Sequence, residues 1–596
     1  MLKPTPVNEI PEETARIAQA AFPKGHQIMR FRDEFGTLYT DADFANLFPA
    51  RGQPALAPWR LALTTVFQFL ENLTDRQAAN AVRGRLEWKY ARRAAVPASI
   101  RFGLELTDPG FDFSVLCEFR SRLIAGNAEQ LLLETMLEHF GRQGLVKARG
   151  TQRTDSTHVL ASVRTLNRLE LVTETMRATL NVLSTVAPDW LQGFTQPEWL
   201  ERYGRRMEEY WLPKGKAARE EFALRIGEDG YALLDAIDAL ALETDPALET
   251  DPALETDPAL EKISTLTWLR DVPMVSTLRQ AWAQQFERID GQAKWRTASN
   301  FPPASQRFDS PYDSPYDTDT HDSLKRDFGW SGYKTHLTET CDSHAPHVIT
   351  NVETTHSTVP DVNATEAIHL RLEQRQLLPA LHVLDSGYAD SDAFVNNKSK
   401  RDVTLVGPLG VDPSWQARAG RGFDLSGFQI DWQDKRVTCP QGKVATRWCE
   451  SKATRSKSEM TSEGTAGAAV INVKFEFEDC FACQMRVYCT RTVRGPRQLS
   501  FRPKAQHEEL QASRTRLAEA GWDAIYEKRA GVEGCVSEGV RAFGLRRARY
   551  RGLVKTRLQH VVIAAAMNVS RVVAWLEGAR PVGIRVSRFG ALMRAA

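Results

Sequence analysis

Leu381-His-Val-Leu-Asp385-Ser-Gly-Tyr388 is a short apolar run that ends on a carboxylate and a turn. Four apolar or half-apolar residues bounded by turn formers read as a buried strand. An aspartate at the end of a buried strand costs desolvation energy unless it is hydrogen-bonded or holds a cation. Its bland reading is a turn-forming Asp before Ser-Gly. The same tension recurs upstream, where Thr154-Asp155-Ser-Thr-His-Val-Leu-Ala-Ser-Val opens a second β-like stretch on a carboxylate.

Working outward, Tyr333-Lys-Thr-His-Leu-Thr-Glu-Thr alternates, and Val348-Ile-Thr-Asn-Val-Glu-Thr-Thr alternates again after the turn His344-Ala-Pro-His347. A helix is predicted from Val362 to Gln376, and Asp402-Val-Thr-Leu-Val-Gly-Pro supplies a further strand. Strands in this order around a helix predict a mixed α/β sheet core. In open α/β sheets the strand ends are where ligands bind, which raises the interest of Asp155 and Asp385.

Helical periodicity flanks this core. Residues 50–145 read as helices: Pro58 to Leu73, then Arg76 to Tyr90 capped by Thr74-Asp75, then Phe113 to about Gly144. The first pair reads either as a helix-turn-helix offering Arg83, Arg85 and Lys89 to DNA or as a plain helical bundle with a charged solvent face. Leu166 to about Arg288 is again amphipathic and helical, and Gln506 to Leu576 closes the chain with helices. The hexapeptide Ala-Leu-Glu-Thr-Asp-Pro occurs three times from Ala241 to Pro258. A proline in every copy bars a continuous helix, so the copies predict a solvent-exposed loop without chemistry. The first ten residues lack the apolar run of a signal peptide, and Val561–Met567 is too short to cross a bilayer, so a cytoplasmic protein is expected.

Tyr526, Arg529 and Glu533 lie at i, i+3 and i+7, which on a helix share one face. From Arg541 to Arg557 follow seven bases and no acid: Arg541, Arg546, Arg547, Arg549, Arg551, Lys555 and Arg557, with Phe543 and Tyr550 among them. A solvated helix face normally alternates signs, so this run fits a phosphate backbone better.

At these residues the chain resembles the bacterial insertion-sequence transposases of the DDE type. The resemblance rests on Asp155 in Thr-Asp-Ser-Thr-His, Asp385 in Val-Leu-Asp-Ser-Gly-Tyr, and Glu533 in a Tyr-x2-Arg-x3-Glu signature. The Gly332-Tyr-Lys-Thr-His segment and the helical leader Arg51 to Leu123 add to it, so that it spans roughly residues 40–580. It implies a ribonuclease H-like catalytic core cut by insertions. The core is expected in residues 149–165, 326–420 and 501–596. Around it are expected an N-terminal helical DNA-binding domain (1–148), a helical insertion (166–325) and a Cys-rich, zinc-ribbon-like insertion (421–500). The family often has Lys or Arg seven residues after the Glu; here Val540 stands there, with Arg541 one step on.

The implied chemistry is in-line displacement at phosphorus, with two Mg²⁺ (or Mn²⁺) ions activating the nucleophile and stabilising the leaving oxygen. Hard cations take carboxylate oxygens, so Asp155 is expected to bridge both metals while Asp385 and Glu533 each complete one. Glu538 is the rival third carboxylate. Arg529 is expected to meet phosphate, and Tyr526 to stack on a base or order the backbone. The expected partners are double-stranded DNA, as terminal inverted repeats and target, and a second copy of the chain. Two other functions share these residues: an inactive or repurposed zinc-stabilised DNA-binding protein, and a nuclease that cuts without joining.

Of eight cysteines, Cys439, Cys480, Cys483 and Cys489 cluster in the sequence and predict a closed structural Zn²⁺ site, with Cys449 competing for the remote ligand. Cys117, Cys341 and Cys535 read as isolated core thiols. His158, His336 and His356 fall on β segments, where packed, hydrogen-bonded histidines are commoner than ligands. No HExxH, Ser-His-Asp or GxxxxGK[ST] arrangement supports a protease or an ATPase.

The formal net charge is only +2, which by itself argues against a nucleic-acid partner. Resolved along the chain it reverses. Residues 226–261 hold 11 acids and no base, whereas residues 491–596 hold 21 Lys and Arg against 8 Asp and Glu.

Overall fold

The computed structural model describes residues 1–2, 12–91, 106–164, 166–242, 266–296, 313–325, 328–409, 412, 414–452, 469–517, 519 and 521–579. The hexapeptide copies, apart from the first two residues, lie outside the described residues. At the centre is a six-stranded mixed sheet. In chain order the strands are β1 (Thr151–Leu160), a separate β2–β3 hairpin (Phe286–Ile289 and Gln292–Trp295), β4 (His321–Lys325), β5 (Phe328–Thr340), β6 (Ile349–His356), β7 (Leu381–Leu384) and β8 (Thr404–Val406).

Strand β1 is the axis of this sheet. It pairs antiparallel with β5 on one side and parallel with β7 on the other, and β7 pairs parallel with β8. The long β5 carries β6 and β4 in succession along its far edge; Gly332 faces Leu160 on one side and His321 on the other. A side chain at Gly332 would collide with the Val159 carbonyl, and its φ of +153° suits glycine. Parallel neighbours need a crossover, and two helices supply it: Asp361–Gln374 between β6 and β7, and Ser391–Arg401 between β7 and β8. The second of these has little apolar periodicity, and sequence reasoning passed over it. This mixed α/β fold with many helices is consistent with a ribonuclease H-like core.

The N-terminal helices are continuous with that core. Pro58–Leu70 is buried from Pro58 to Phe69 except at Arg60, as expected for a helix that is apolar nearly all round. It packs against the C-terminal helix Leu553–Leu576, and one apolar cluster runs from Ile28 through Phe67 and Val352 to Val573. That last helix is long and apolar enough to cross a membrane, but most of it is buried inside the fold. Its buried Asn568 clamps the start of β6, accepting from Ile349 N at 2.7 Å and donating to Ile349 O at 2.9 Å.

Several boundaries differ from those predicted. Thr74 caps the second helix through a reciprocal bond set with Gln77, but that helix stops at Gly84 and restarts as Leu86–Ala91. The stretch Phe113–Gly144 is two helices, Ser114–Ala125 and Leu131–Arg142, parted at Gly126-Asn127, where Asn127 adopts φ +51°. The last helix of the insertion ends at Gln285 and runs directly into the β2–β3 hairpin, whose strands are joined by Asp290-Gly291, an Asp-Gly turn signal legible in the sequence. It has its own apolar core, centred on Val172, Ile226, Leu278 and Trp282. Residues 321–325 join the central sheet as β4, while Tyr316 just before them bonds Glu174 and Arg177 of the insertion. The Cys-bearing segment forms two three-stranded sheets around Phe428, Val437, Val473 and Phe501.

Candidate active site

The alternation of β1 sorts its side chains onto two faces. Even-numbered Thr154 and Ser156 meet the crossover side: Thr154 Oγ1 bonds Thr338 and His382, and Ser156 Oγ donates to Asp361 at 3.1 Å. Odd-numbered Arg153, Asp155 and Thr157 meet the C-terminal segment instead, touching Lys528, Arg529 and Arg546. The parallel register pairs Thr154 with Leu384, so Asp155 and Asp385 are neighbours one residue further on, projecting to the same face.

Asp385 also serves as the predicted turn former, accepting from Ser386 N at 2.5 Å at the start of the Ser386–Tyr388 turn. That turn buries Tyr388, whose hydroxyl bonds His336 Nδ1 at 2.6 Å. Both roles of the aspartate are therefore compatible: the turn bond uses Oδ1 and leaves Oδ2 toward Arg529.

Glu533 arrives from the other end of the chain. Trp522–Tyr526, a tight turn at Glu527–Arg529 and Ala530–Ala542 follow one another, so Tyr526, Arg529 and Glu533 still share a face despite the tightened middle. The Arg529 guanidinium sits among all three carboxylates. It lies 3.3 Å from Asp155, 3.5 Å from Asp385 and 3.1 Å from Glu533. Burial works against its charge, but Asp155, Asp385, Tyr526 and the Glu533 bond prevail, and its pKa is raised. Burial also raises the Asp155 pKa, against the pull of the Ser156 amide and Arg529. Tyr526 stacks on Trp522, with ring centroids 5.8 Å apart.

The rival acid is engaged elsewhere. Glu538 pairs with Arg571 at 2.7 Å, Arg571 reaches Glu339 at 2.6 Å, and Glu339 takes Arg153 at 2.7 Å. This chain of ion pairs, buried at Arg153 and Glu339 and half-buried at Glu538, joins the Ala530–Ala542 helix to β1 and β5. Sequence reasoning missed it, along with Asp361, which accepts from Lys334 Nζ at 3.0 Å beside Ser156. Lys334 lay in a segment already singled out, but nothing local marks Asp361 or Arg153.

The basic run is not one surface. Arg541, Arg547 and Arg551 are exposed. Arg546 donates to Thr157 at 2.8 Å, and its backbone extends the end of β1 by accepting from Leu160 N. Arg549 donates to Leu73 O at 2.7 Å and lies over the Phe69 ring, bracing the N-terminal helices against the C-terminal segment. Arg83, Arg85 and Lys89 are also held internally, by the Pro109 and Phe111 carbonyls, by Glu71 and Glu87, and by the Asp108 carbonyl. These intramolecular bonds fit the bundle reading of the helices, with Arg83 still exposed to solvent.

Cys439, Cys480, Cys483 and Cys489 line one small cavity, while Cys449 is exposed on another strand. The Cys439-Pro-Gln-Gly turn forms as predicted, with Gly442 N donating to Cys439 O. Four thiols around one cavity are a donor set that suits Zn²⁺. Cys341 and Cys535 are buried, but Cys117 is exposed, against expectation, because it falls on the outer face of Ser114–Ala125. His158 packs on Phe328 and Trp330, His336 bonds Tyr388 and Thr355, and His356 meets the Asp319 carbonyl, so all three are packed residues.

Comparison with known families gives two matches. A model described as "Transposase DDE domain" matches residues 438–573, and one described as "Transposase domain (DUF772)" matches residues 16–122. Both matches are to transposase domains and support an insertion-sequence transposase of the DDE type. No curated protein matches it. The first match takes in the four clustered cysteines, Arg529 and Glu533; Asp155 and Asp385 lie outside both matches and come beside Arg529 through the fold. Transposases of this type generally use divalent metal ions. Three carboxylates converging on one cationic group are a donor set that fits a hard divalent cation.

Proposed function

We propose that this transposase binds the terminal inverted repeats of its insertion sequence and catalyses DNA strand cleavage and strand transfer. Asp155, Asp385 and Glu533 are its catalytic carboxylates and would hold Mg²⁺ or Mn²⁺. The observation that carries this reading is the convergence of these three side chains, from three distant parts of the chain, on one guanidinium. Bound divalent cations would supply Lewis-acid activation of the attacking and leaving oxygens.

The chain's own residues do the rest. Exposed Arg541, Arg547 and Arg551 hold the DNA backbone beside the site, and the Trp522–Tyr526 pair offers a stacking face to a base. Arg546 and Arg549 position the segment that bears them. The four cysteines hold a structural Zn²⁺ that stiffens the 421–500 insertion. Both element ends must be joined, so the active complex contains at least two copies, acting in the cytoplasm at the nucleoid.

The test is cleavage of a supercoiled plasmid bearing the element ends. Asp155→Asn, Asp385→Asn and Glu533→Gln should each abolish Mg²⁺-dependent cleavage and leave DNA binding largely intact. Retained cleavage in any of the three removes that residue from the site. Joined rather than merely nicked products separate a transposase from a hydrolytic nuclease.

A further inference from the structure

The Arg529 guanidinium holds the place among the three carboxylates that a cation requires, yet it is poorly held there. Charge-assisted N–H···O bonds are ordinarily about 2.7–2.9 Å, whereas its contacts with Asp155, Asp385 and Glu533 run from 3.1 to 3.5 Å. Its Nε–H is buried with no hydrogen-bond partner. A planar fork suited to one carboxylate in a bidentate pair is instead stretched across three. It stands on the tightened helical turn Glu527–Arg529 and its side chain is 20% exposed, so the head can leave without unfolding its support.

We propose that Arg529 is a stand-in cation that exchanges its carboxylates for a phosphate: it neutralises Asp155, Asp385 and Glu533 in the DNA-free protein, and leaves them to grip the DNA backbone as divalent metal loads. This deepens the proposed function and rests on it. The charge balance gives the exchange its direction. With Arg529 in place the cluster carries −2, and with Arg529 withdrawn it carries −3. A divalent cation and the guanidinium repel each other at such separations, each weakening the other's hold on the shared carboxylates. A phosphate offers Arg529 the bidentate geometry that the three carboxylates deny it. Metal binding and DNA binding therefore help each other, although no metal-to-DNA contact is needed for the coupling.

Mn²⁺ titration of the full chain without DNA, read by electron paramagnetic resonance, tests the first half. Arg529→Gln should bind Mn²⁺ at least about tenfold more tightly than the wild type, and Asp155→Asn should bind it more weakly. Equal or weaker Mn²⁺ binding in Arg529→Gln overturns the exchange. Absence of Mn²⁺ binding in the wild type and every variant instead overturns the metal site itself. The second half is read with Ca²⁺, which need not support cleavage. Ca²⁺ should tighten binding of end DNA several-fold in the wild type and leave Arg529→Gln unchanged. The same Ca²⁺ enhancement in both proteins overturns the coupling even if the Mn²⁺ result were obscured by misfolding.

Discussion

Arg153 on β1 donates through Nη1 to the carbonyl of Lys528, 2.5 Å away, across 375 residues of sequence. Arg153 thus ties the strand of Asp155 to the turn that presents Arg529 and, one helical turn on, Glu533. The guanidinium is itself fixed by Glu339 at 2.7 Å and by His347 at 3.3 Å. The distance between the first and third carboxylates is therefore set by a buried polar joint and not by the carboxylates themselves.

Gly531→Ala should disturb that joint. A Cβ at Gly531 would stand 2.1 Å from the Arg153 guanidinium, which its other partners prevent from retreating. Overpacking of this kind costs about 1–3 kcal/mol. Urea unfolding should show that loss, and cleavage measured well below the midpoint should fall further than the unfolded fraction explains.

The arginines of the basic run should separate into two classes. Arg549→Ala removes bonds to Leu73 and Asn72 and the packing on Phe69, so it should cost about 1–3 kcal/mol of stability. Arg541→Ala and Arg547→Ala alter exposed side chains and should change stability by less than about 0.5 kcal/mol. Each should nevertheless weaken DNA binding and lower the salt-dependence slope by about one. Equal effects of all three on melting and on binding would contradict the division.

Stability should fall on the acid side. Burial lowers the pKa of His369 and of His560 to about 4, Arg401 adding to the effect at His369. An unfolded histidine titrates near 6.5, so below that pH the unfolded chain takes up protons that the folded chain refuses. The contribution is complete above about pH 6.5 and is lost as pH falls toward 4, at about 1.4 kcal/mol per pH unit for each group. Melting temperatures between pH 7 and 4.5 should drop accordingly, and His560→Gln should flatten the slope.

The cysteine cavity should contain metal. Protein purified without chelator should hold about one zinc per chain by elemental analysis, matching a four-thiolate site. Cys480→Ser should lose the zinc and lower the melting temperature, whereas Cys449→Ser, on an exposed strand, should retain it. Full zinc in Cys480→Ser would place the ion elsewhere.

Much of this protein is legible in its sequence, because alternation, caps and turns are encoded within a dozen residues. The strands around Tyr333 and Val352, the turn after Asp385, the Cys439 turn and the shared face of Tyr526, Arg529 and Glu533 all follow from local pattern. Asp155 and Asp385 are also marked in the sequence, since a carboxylate on an apolar strand needs a reason to be there, whereas Glu533, on a helix, is marked only by its spacing from Tyr526 and Arg529. What only the tertiary structure decided are the partners of the long polar side chains. Arg529 turned inward to three acids, Arg549 braced a helix nearly five hundred residues away, and Glu538 went to Arg571 while Glu533 stayed at the site. The N-terminal helices merged with the central sheet because Leu553–Leu576 packs against both Pro58–Leu70 and β6. An arginine reads the same in sequence whether it faces phosphate or carboxylate. Its flexible stem reaches whatever charge the fold brings within a few ångströms, and no local periodicity records which charge that is.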